Sequence, residues 1–412
     1  MKKIYSLLFV LLFCSACLNE IDLSNFDFEE GIVIEARLTD QVTTQRIALS
    51  WIRELNSAIE DSSVSGAIIE LYQNGVLFQE FIELEDGVYS SIEPFGLIQG
   101  NKYYLEITTD QGIQIQSEES VFLAQGEMTG LQPRASVSSA GKQGVQLNVS
   151  GASRNEYTQF FRYEIVMHQE IKAPAYSGKQ VRYTNIETFE TEVFLNRNYK
   201  QTCYKELINY DLILNDIAST SVNFDDFELL FIDADDERIA NNLGVLVKQY
   251  AISEEAYIYY SALKRMNLSD EVFTNAQPGF LQGNLKAIND EIPVYGYFEM
   301  SSYREQSVVF NYFDFSDSFD LGRNKRYPEY CVFTAPRVFY QKPFSPPVIG
   351  ELYDLLINEA VIYFDLNSGE IPPVVVFPGA EWGGGEGPYI VVNSACADCS
   401  LIASPEKPNY WK

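Results

Sequence analysis

Gly31-Ile32-Val33-Ile34-Glu35-Ala36-Arg37-Leu38 decides the class of this fold. Ile32, Ile34, Ala36 and Leu38 fall on every second position, so an extended chain puts all four on one side, and that side is expected to be buried. Working outward, Ile47, Leu49 and Trp51 repeat the period, and Ala67, Ile69 and Leu71 repeat it again. Asn74-Gly75 supplies positive-φ turn residues before Val76 to Ile82, and Asp86-Gly87 does so before Val88-Tyr89. Tyr103, Leu105 and Ile107 continue the pattern, and Ile113 and Ile115 end it. About seven short strands punctuated by turns predict a β-sandwich of immunoglobulin or transthyretin type over residues 31–125. Such modules are more often spacers or binding supports than enzymes.

Downstream, Gly126 to Gly144 is rich in Gly, Ser, Ala and Gln, contains Pro133, and reads as a linker over 126–144. Val145, Leu147 and Val149 then open a larger, β-rich α+β domain spanning 145–412, so the whole chain is expected to be mainly β. One helix is predicted from its ends. Ser253 can cap it, Glu254 and Glu255 suit the positive end of the helix dipole, and Lys264 and Arg265 suit the other. Ala256, Tyr260 and Leu263 share its inner face. A second helix is expected near Gly350 to Glu359, with strands at 292–300, 306–313 and 387–392.

The 412 residues are enough for two or three domains. Hydrophobic residues at 46% and charged residues at 21% exclude a disordered or coiled-coil chain, and 27 Tyr with 27 Phe favour pleated surfaces. Lys and Arg total 29 against 58 Asp and Glu, a net charge of −29, which repels phosphate backbones and argues against nucleic acid. Two acidic tracts, Asp211 to Glu237 and Pro343 to Glu406, hold no Lys or Arg; a small basic cluster, Arg323, Lys325 and Arg326, runs into Tyr327 and Tyr330.

The N-terminus has the parts of an export signal. Lys2 and Lys3 are followed by an apolar run from Ile4 to Phe13, too short to span a bilayer, and then Ser15-Ala16-Cys17. Small residues before a cysteine resemble a bacterial lipobox, although Cys14 stands where leucine is usual. On that reading residues 1–16 are a lipoprotein signal peptide, Cys17 receives acyl chains such as palmitate, and 17–30 is an acidic tether. Several chains give stable anchoring where one holds only marginally. The alternative is an ordinary secretory signal with a chance cysteine.

Cys203, Cys331, Cys396 and Cys399 remain, and four cysteines allow three pairings. Outside the cytoplasm disulfides are the default. The favoured pairing is Cys396 with Cys399, locking a terminal loop, and Cys203 with Cys331, closing a long one. A zinc site built from all four is the rival.

Other chemistry is sparse. The single histidine, His168, lies in a strand-like run with no serine elbow and is expected to be structural. Gly383-Gly384-Gly385-Glu386-Gly387 lacks the lysine and following helix of a phosphate loop and reads as a flexible loop close to a partner. Asp233, Asp235 and Asp236 are weak calcium candidates, lacking the glycine and terminal glutamate of an EF-hand; a solvated acidic turn is the alternative. Trp382 and Tyr327 are candidates for stacking on sugars, although most aromatics at this frequency are expected to be core. No cofactor is expected.

The C-terminus, Cys396-Ala397-Asp398-Cys399 followed by Lys407-Pro408-Asn409-Tyr410-Trp411, resembles the ending of the domain-of-unknown-function 4249 family, lipoproteins of Bacteroidota; Asn409 and Tyr410 depart from its usual residues. Gln277-Pro278, Gln282-Gly283-Asn284, Val294-Tyr295-Gly296-Tyr297-Phe298, Gly87-Val88-Tyr89 and Gly100-Asn101-Lys102-Tyr103 fit the same family. The resemblance implies an outer-membrane lipoprotein, exposed at the cell surface or facing the periplasm, that works as an accessory binding or docking partner of a SusC-like TonB-dependent β-barrel transporter. Its implied ligand is a small molecule, peptide or glycan. The alternatives are a surface hydrolase using carboxylates or a metal, and an adhesion or envelope-structural protein.

Overall fold

The computed structural model describes residues 30–52, 62–155, 157–217, 222–268, 281–319, 331–341, 343–368 and 380–411. The chain is mainly β, as the alternation predicts. Its first strands are β1 (Gly31–Thr39), β2 (Arg46–Ile52), β3 (Ile68–Gln73), β4 (Val76–Glu85), β5 (Val88–Ser91), β6 (Lys102–Thr108), β7 (Gln114–Ser117) and β8 (Ser120–Val121). Ile32, Ile34, Ala36 and Leu38 are buried together with Ile47, Leu49, Ile69, Leu71, Tyr103 and Leu105. Asn74 and Gly75 both take positive φ, as a tight β3–β4 turn requires.

The second group is β9 (Gly126–Val137), β10 (Gln143–Ser153), β11 (Phe160–Lys172), β12 (Lys179–Asn185), β13 (Glu190–Leu195), β14 (Thr202–Asp216), β15 (Asn223–Asp233), β16 (Leu243–Ile252), β17 (Leu285–Ala287) and β18 (Val294–Phe310). The expected linker at 126–144 is corrected here: it is β9 and the turn into β10, paired antiparallel from Gly126↔Ser153 to Val137↔Gln143 with one irregularity between Ser150 and Gly151. Its small residues misled because they serve packing. A Cβ on Gly126 would lie 2.7 Å from the Phe161 ring. Pro133 is tolerated because β9 is the edge of the sheet β15-β10-β9.

The division at residue 125 is also incomplete, because the N-terminal sheet recruits later chain. β17 pairs with β7, and β18 serves two partners in turn. Val294–Ser301 runs parallel to β1, and Ser302–Phe310 runs antiparallel to β16. One continuous sheet results, in the order β14-β11-β16-β18-β1-β2-β5-β4-β3-β6-β7-β17, with β8 on β6. The strands expected at 292–300 and 306–313 are therefore one. Asp40 fixes the crossover: it accepts from Ser302 Oγ at 2.8 Å and from the Tyr303 N–H at 2.7 Å. Gly296, at φ +107°, is needed there, since a Cβ would lie 2.0 Å from the Ile34 carbonyl oxygen.

The last strands are β19 (Cys331–Ala335), β20 (Phe339–Tyr340), β21 (Val348–Ile349), β22 (Val361–Leu366), β23 (Ala380–Gly385) and β24 (Tyr389–Asn393), with a four-stranded sheet in the order β22-β24-β19-β23. Both predicted helices are present, at Glu254–Leu268 and Glu351–Ile357.

Candidate functional site

A cleft of about 820 Å³ opens where the N-terminal sheet meets the Glu254–Leu268 helix. The helix is placed by its ends and its rings. Ser253 Oγ accepts from the Ala256 N–H at 3.2 Å, which satisfies a donor that the first turn leaves free. Tyr257 stacks on Phe160 at 4.5 Å, and Tyr259 packs on Tyr297 of β18 at 5.1 Å. Gln282-Gly283-Asn284 clips the opposite wall. Asn284 accepts from the Phe298 N–H at 2.8 Å and donates to the Phe298 carbonyl at 3.0 Å. Its own carbonyl accepts from the Glu118 N–H at 2.8 Å.

The walls are aromatic and amide-bearing, with Phe160, Tyr259 and Tyr297 beside Gln159 and Gln282. Their charges are Glu118, Glu254 and Glu255, and no Lys or Arg lines the cleft among the described residues. The two glutamates also offset the positive end of the helix, so an anion is disfavoured and an uncharged or cationic ligand fits. Burial, together with the Glu255, Glu299 and Glu118 carboxylates, pushes the Tyr297 hydroxyl up to about 12, so it stays protonated at neutral pH.

Behind the helix lies a buried ion cluster. Arg162 meets Glu299 through two hydrogen bonds of 3.1 Å and Glu164 through one of 2.6 Å. Its guanidinium lies 4.1 Å from the centre of the Tyr250 ring, and Tyr250 donates to Glu164 at 2.9 Å. Burial pushes the Glu299 carboxyl up, but the Arg162 charge, its hydrogen bonds and that of Tyr260, and the Arg37 charge together outweigh it and hold it below the ordinary carboxylate range. These acids are fixed as ion-pair partners.

The cysteine pairing is the main correction. Cys203 bonds Cys399, and Cys331 bonds Cys396. The two terminal cysteines are close in sequence but face different cores. Cys396 lies on the Ser394–Ala397 helical turn beside Cys331 and Phe333, whereas Cys399 lies beside Ile171 and Ala173. Between them Asp398 is extended and accepts from the Lys200 N–H at 3.0 Å. With all four sulfurs bonded, the zinc alternative has no thiolate to use.

The calcium candidates do not converge either. Lys142 ion-pairs with Asp233, while Asp236 caps the Glu237–Ile239 turn and binds Arg238 at 2.7 Å. No metal-ligand grouping occurs among the described residues, and Asp235 joins none. His168 sits in β11 with its Nδ1 at 2.7 Å from the Tyr410 hydroxyl, a packing contact for the chain end. The glycine run expected to be a flexible loop is largely strand: Gly383 to Gly385 belong to β23 and line a second cleft of about 740 Å³ with Arg337 and Glu351. Cβ atoms on Gly385 and Gly387 would lie 2.2 and 1.8 Å from the carbonyl oxygens of Ala335 and Pro336, so close approach, not mobility, demands glycine. Trp382 is in β23 against the Cys331–Phe333 core. Cys17 and the cluster Arg323, Lys325, Arg326 and Tyr327 lie outside the described residues. The cleft itself is not foreseen in the sequence, although the Ser253-Glu254-Glu255 cap and the Gln282-Gly283-Asn284 and Tyr297-Phe298 motifs all lie on its walls.

No protein of curated function matches the chain. Among solved structures, a DUF4785 family protein from Legionella pneumophila is 11% identical with a TM-score of 0.17, covering 55% of this chain and 53% of that one. The Bacteroides ovatus mixed-linkage glucan utilization locus protein SGBP-B, solved with a mixed-linkage heptasaccharide, is 9% identical with a TM-score of 0.18, covering 48% of this chain and 51% of that one. The chain spans about half the length of the solved structures it matches, and likenesses this low carry no argument about it. Residues 19–307 match the family described as Domain of unknown function (DUF4249), and the chain belongs to that family.

Proposed function

We propose that this chain is a lipid-anchored binding protein of the outer membrane, tethered through Cys17, which holds an uncharged or cationic ligand in the cleft and works beside a SusC-like TonB-dependent β-barrel transporter. The cleft carries this reading. It combines aromatic faces, amide groups and acidic charge in a concavity between the N-terminal sheet and the Glu254–Leu268 helix, and such sites favour ligand capture. The two disulfides support an oxidising compartment, and the lipobox-like Ser15-Ala16-Cys17 supports the anchor. Extraction of whole cells in mild detergent tests the partnership: a β-barrel transporter should co-purify with the tagged chain. Repeated recovery of a lone monomer overturns it. The Cys17→Ala variant should lose acyl labelling; persistent labelling removes the anchor.

A further inference from the structure

The outer face of the N-terminal sheet carries charges that oppose its own pairing. Glu70 in β3 stands directly opposite Glu80 in β4 on one side and Glu106 in β6 on the other. Like charges directly opposite each other destabilise a sheet. One row along, Tyr72 is paired with Tyr104 and with Leu77, and the two tyrosine rings lie parallel with centroids 4.7 Å apart. Across the carboxylate row Ile68 and Ile82 are 63% and 50% exposed. The face is thus an acidic band between two apolar ones. Lys102, on the same side of β6, is held by Glu119 at 2.9 Å, on the rim. Burial, with Glu106 and Glu70 nearby, pushes the Tyr72 hydroxyl up to about 12, so it stays protonated at neutral pH.

We propose that this face, with the rows Tyr104–Tyr72–Leu77 and Glu106–Glu70–Glu80, is a docking surface for a partner protein that presents arginine and lysine side chains among apolar ones. Guanidinium groups fork onto carboxylates and stack on aromatic faces, and the flanking Ile68, Ile82 and Leu77 supply apolar area that binding would cover. Charge selects this occupant. A second copy would set carboxylates against carboxylates, and an anionic membrane would be repelled by them. The inference depends on neither the cleft nor the anchor.

The test uses the whole mature chain and two soluble six-residue peptides, one alternating arginine with leucine and the other citrulline with leucine. Calorimetric titration should give a Kd at least 10-fold lower for the arginine peptide. The double variant Glu70→Gln, Glu106→Gln should raise that Kd at least 10-fold, while its thermal midpoint equals or exceeds that of the parent because repulsion is relieved. The variant Glu254→Gln, Glu255→Gln in the cleft should leave it unchanged. Equal affinity for both peptides, or a loss that follows the cleft variant instead, overturns the proposal. So does a dimer in sedimentation that the Glu70 and Glu106 substitutions dissolve, or binding to phosphatidylglycerol vesicles that they abolish.

Discussion

Arg162 and Glu299 join two halves of the molecule across a sheet: Arg162 is in β11, and Glu299 is in the part of β18 that pairs with β1. Glu299 is fully buried and Arg162 is 3% exposed, so neither charge has water to fall back on. Breaking such a pair leaves its partner uncompensated. Glu299→Gln is expected to cost about 3–5 kcal/mol, measured by urea unfolding. The joint replacement Arg162→Met, Glu299→Leu should cost much less than the two single changes added together, because no fully buried charge is left alone; Glu164, partly exposed, keeps Arg37 at 3.4 Å.

The same pair sets an acid limit. Glu299 and Glu164 are both held below their ordinary range: burial raises each, and the Arg162 charge and hydrogen bonds, with a tyrosine hydroxyl and Arg37, together outweigh it. Their folded values lie below the unfolded one, about 4.3, so their stabilisation is complete above that pH and is lost as pH falls through the folded values. The unfolding midpoint should therefore hold at neutral pH and fall below about pH 4, with a shallower fall in Glu299→Gln. Burial also lowers His168, despite Glu206. Its contribution has the same sign: present above the unfolded value of about 6.5 and fading as pH falls below it. In His168→Gln any decline between about pH 6.5 and 5 should be reduced.

Peptide mapping under non-reducing conditions should recover Cys203 linked to Cys399 and Cys331 linked to Cys396. The bridges span sequence separations of 196 and 65 residues. Loop-closure entropy then assigns each about 4–5 kcal/mol, an amount that native strain can reduce. Cys203→Ser with Cys399→Ser should expose the 398–411 segment to protease before the N-terminal sheet opens, while Cys331 still holds Cys396.

The chain end is held a second way. Trp411 lies on Gly244 and edge-on to Tyr204 at 5.1 Å, and a Cβ on Gly244 would come within 2.4 Å of the indole. Trp411→Ala should cost about 3–5 kcal/mol, as for a large buried ring, and Gly244→Ala should displace the indole and expose the tail to carboxypeptidase.

The local rules of this chain were legible and the long-range ones were not. Period-two spacing named Ile32, Ile34, Ala36 and Leu38 as core, and Ser253 with Glu254 and Glu255 named a helix start, because each depends only on neighbours. The cysteine partners depended on which cores lie on either side of Asp398, a property of the assembled fold. The halves of β18 looked like separate strands because Ser301 and Ser302 interrupt the apolar pattern. Both are buried polar residues, at the point where Asp40 holds the crossover. β9 looked like a linker because glycine that packs under a ring and glycine that bends freely are the same letter. The cleft needs five separate stretches of chain at once, around residues 118–124, 157–160, 253–262, 281–284 and 297–300, and no window of sequence contains them.

Gly283 offers a direct test of how that cleft is held. A Cβ there would lie 1.8 Å from the Gly296 carbonyl oxygen, which is backbone and cannot swing aside. Gly283→Ala must therefore push the 281–284 segment off β18, loosening the two hydrogen bonds between Asn284 and Phe298. An overpacking cost of about 1–3 kcal/mol is expected. Hydrogen exchange distinguishes a local effect from general weakening. The Phe298 amide, which donates to Asn284, should exchange faster in Gly283→Ala, while the Ile362 amide in β22 of the C-terminal sheet keeps its parent rate. Asn284→Ala should reproduce the faster exchange at Phe298 without the steric clash, because it removes the acceptor and leaves the backbone in place. If both amides accelerate together in both variants, the clip holds the whole fold and not the cleft wall alone. If neither does, Asn284 is not what secures that strand.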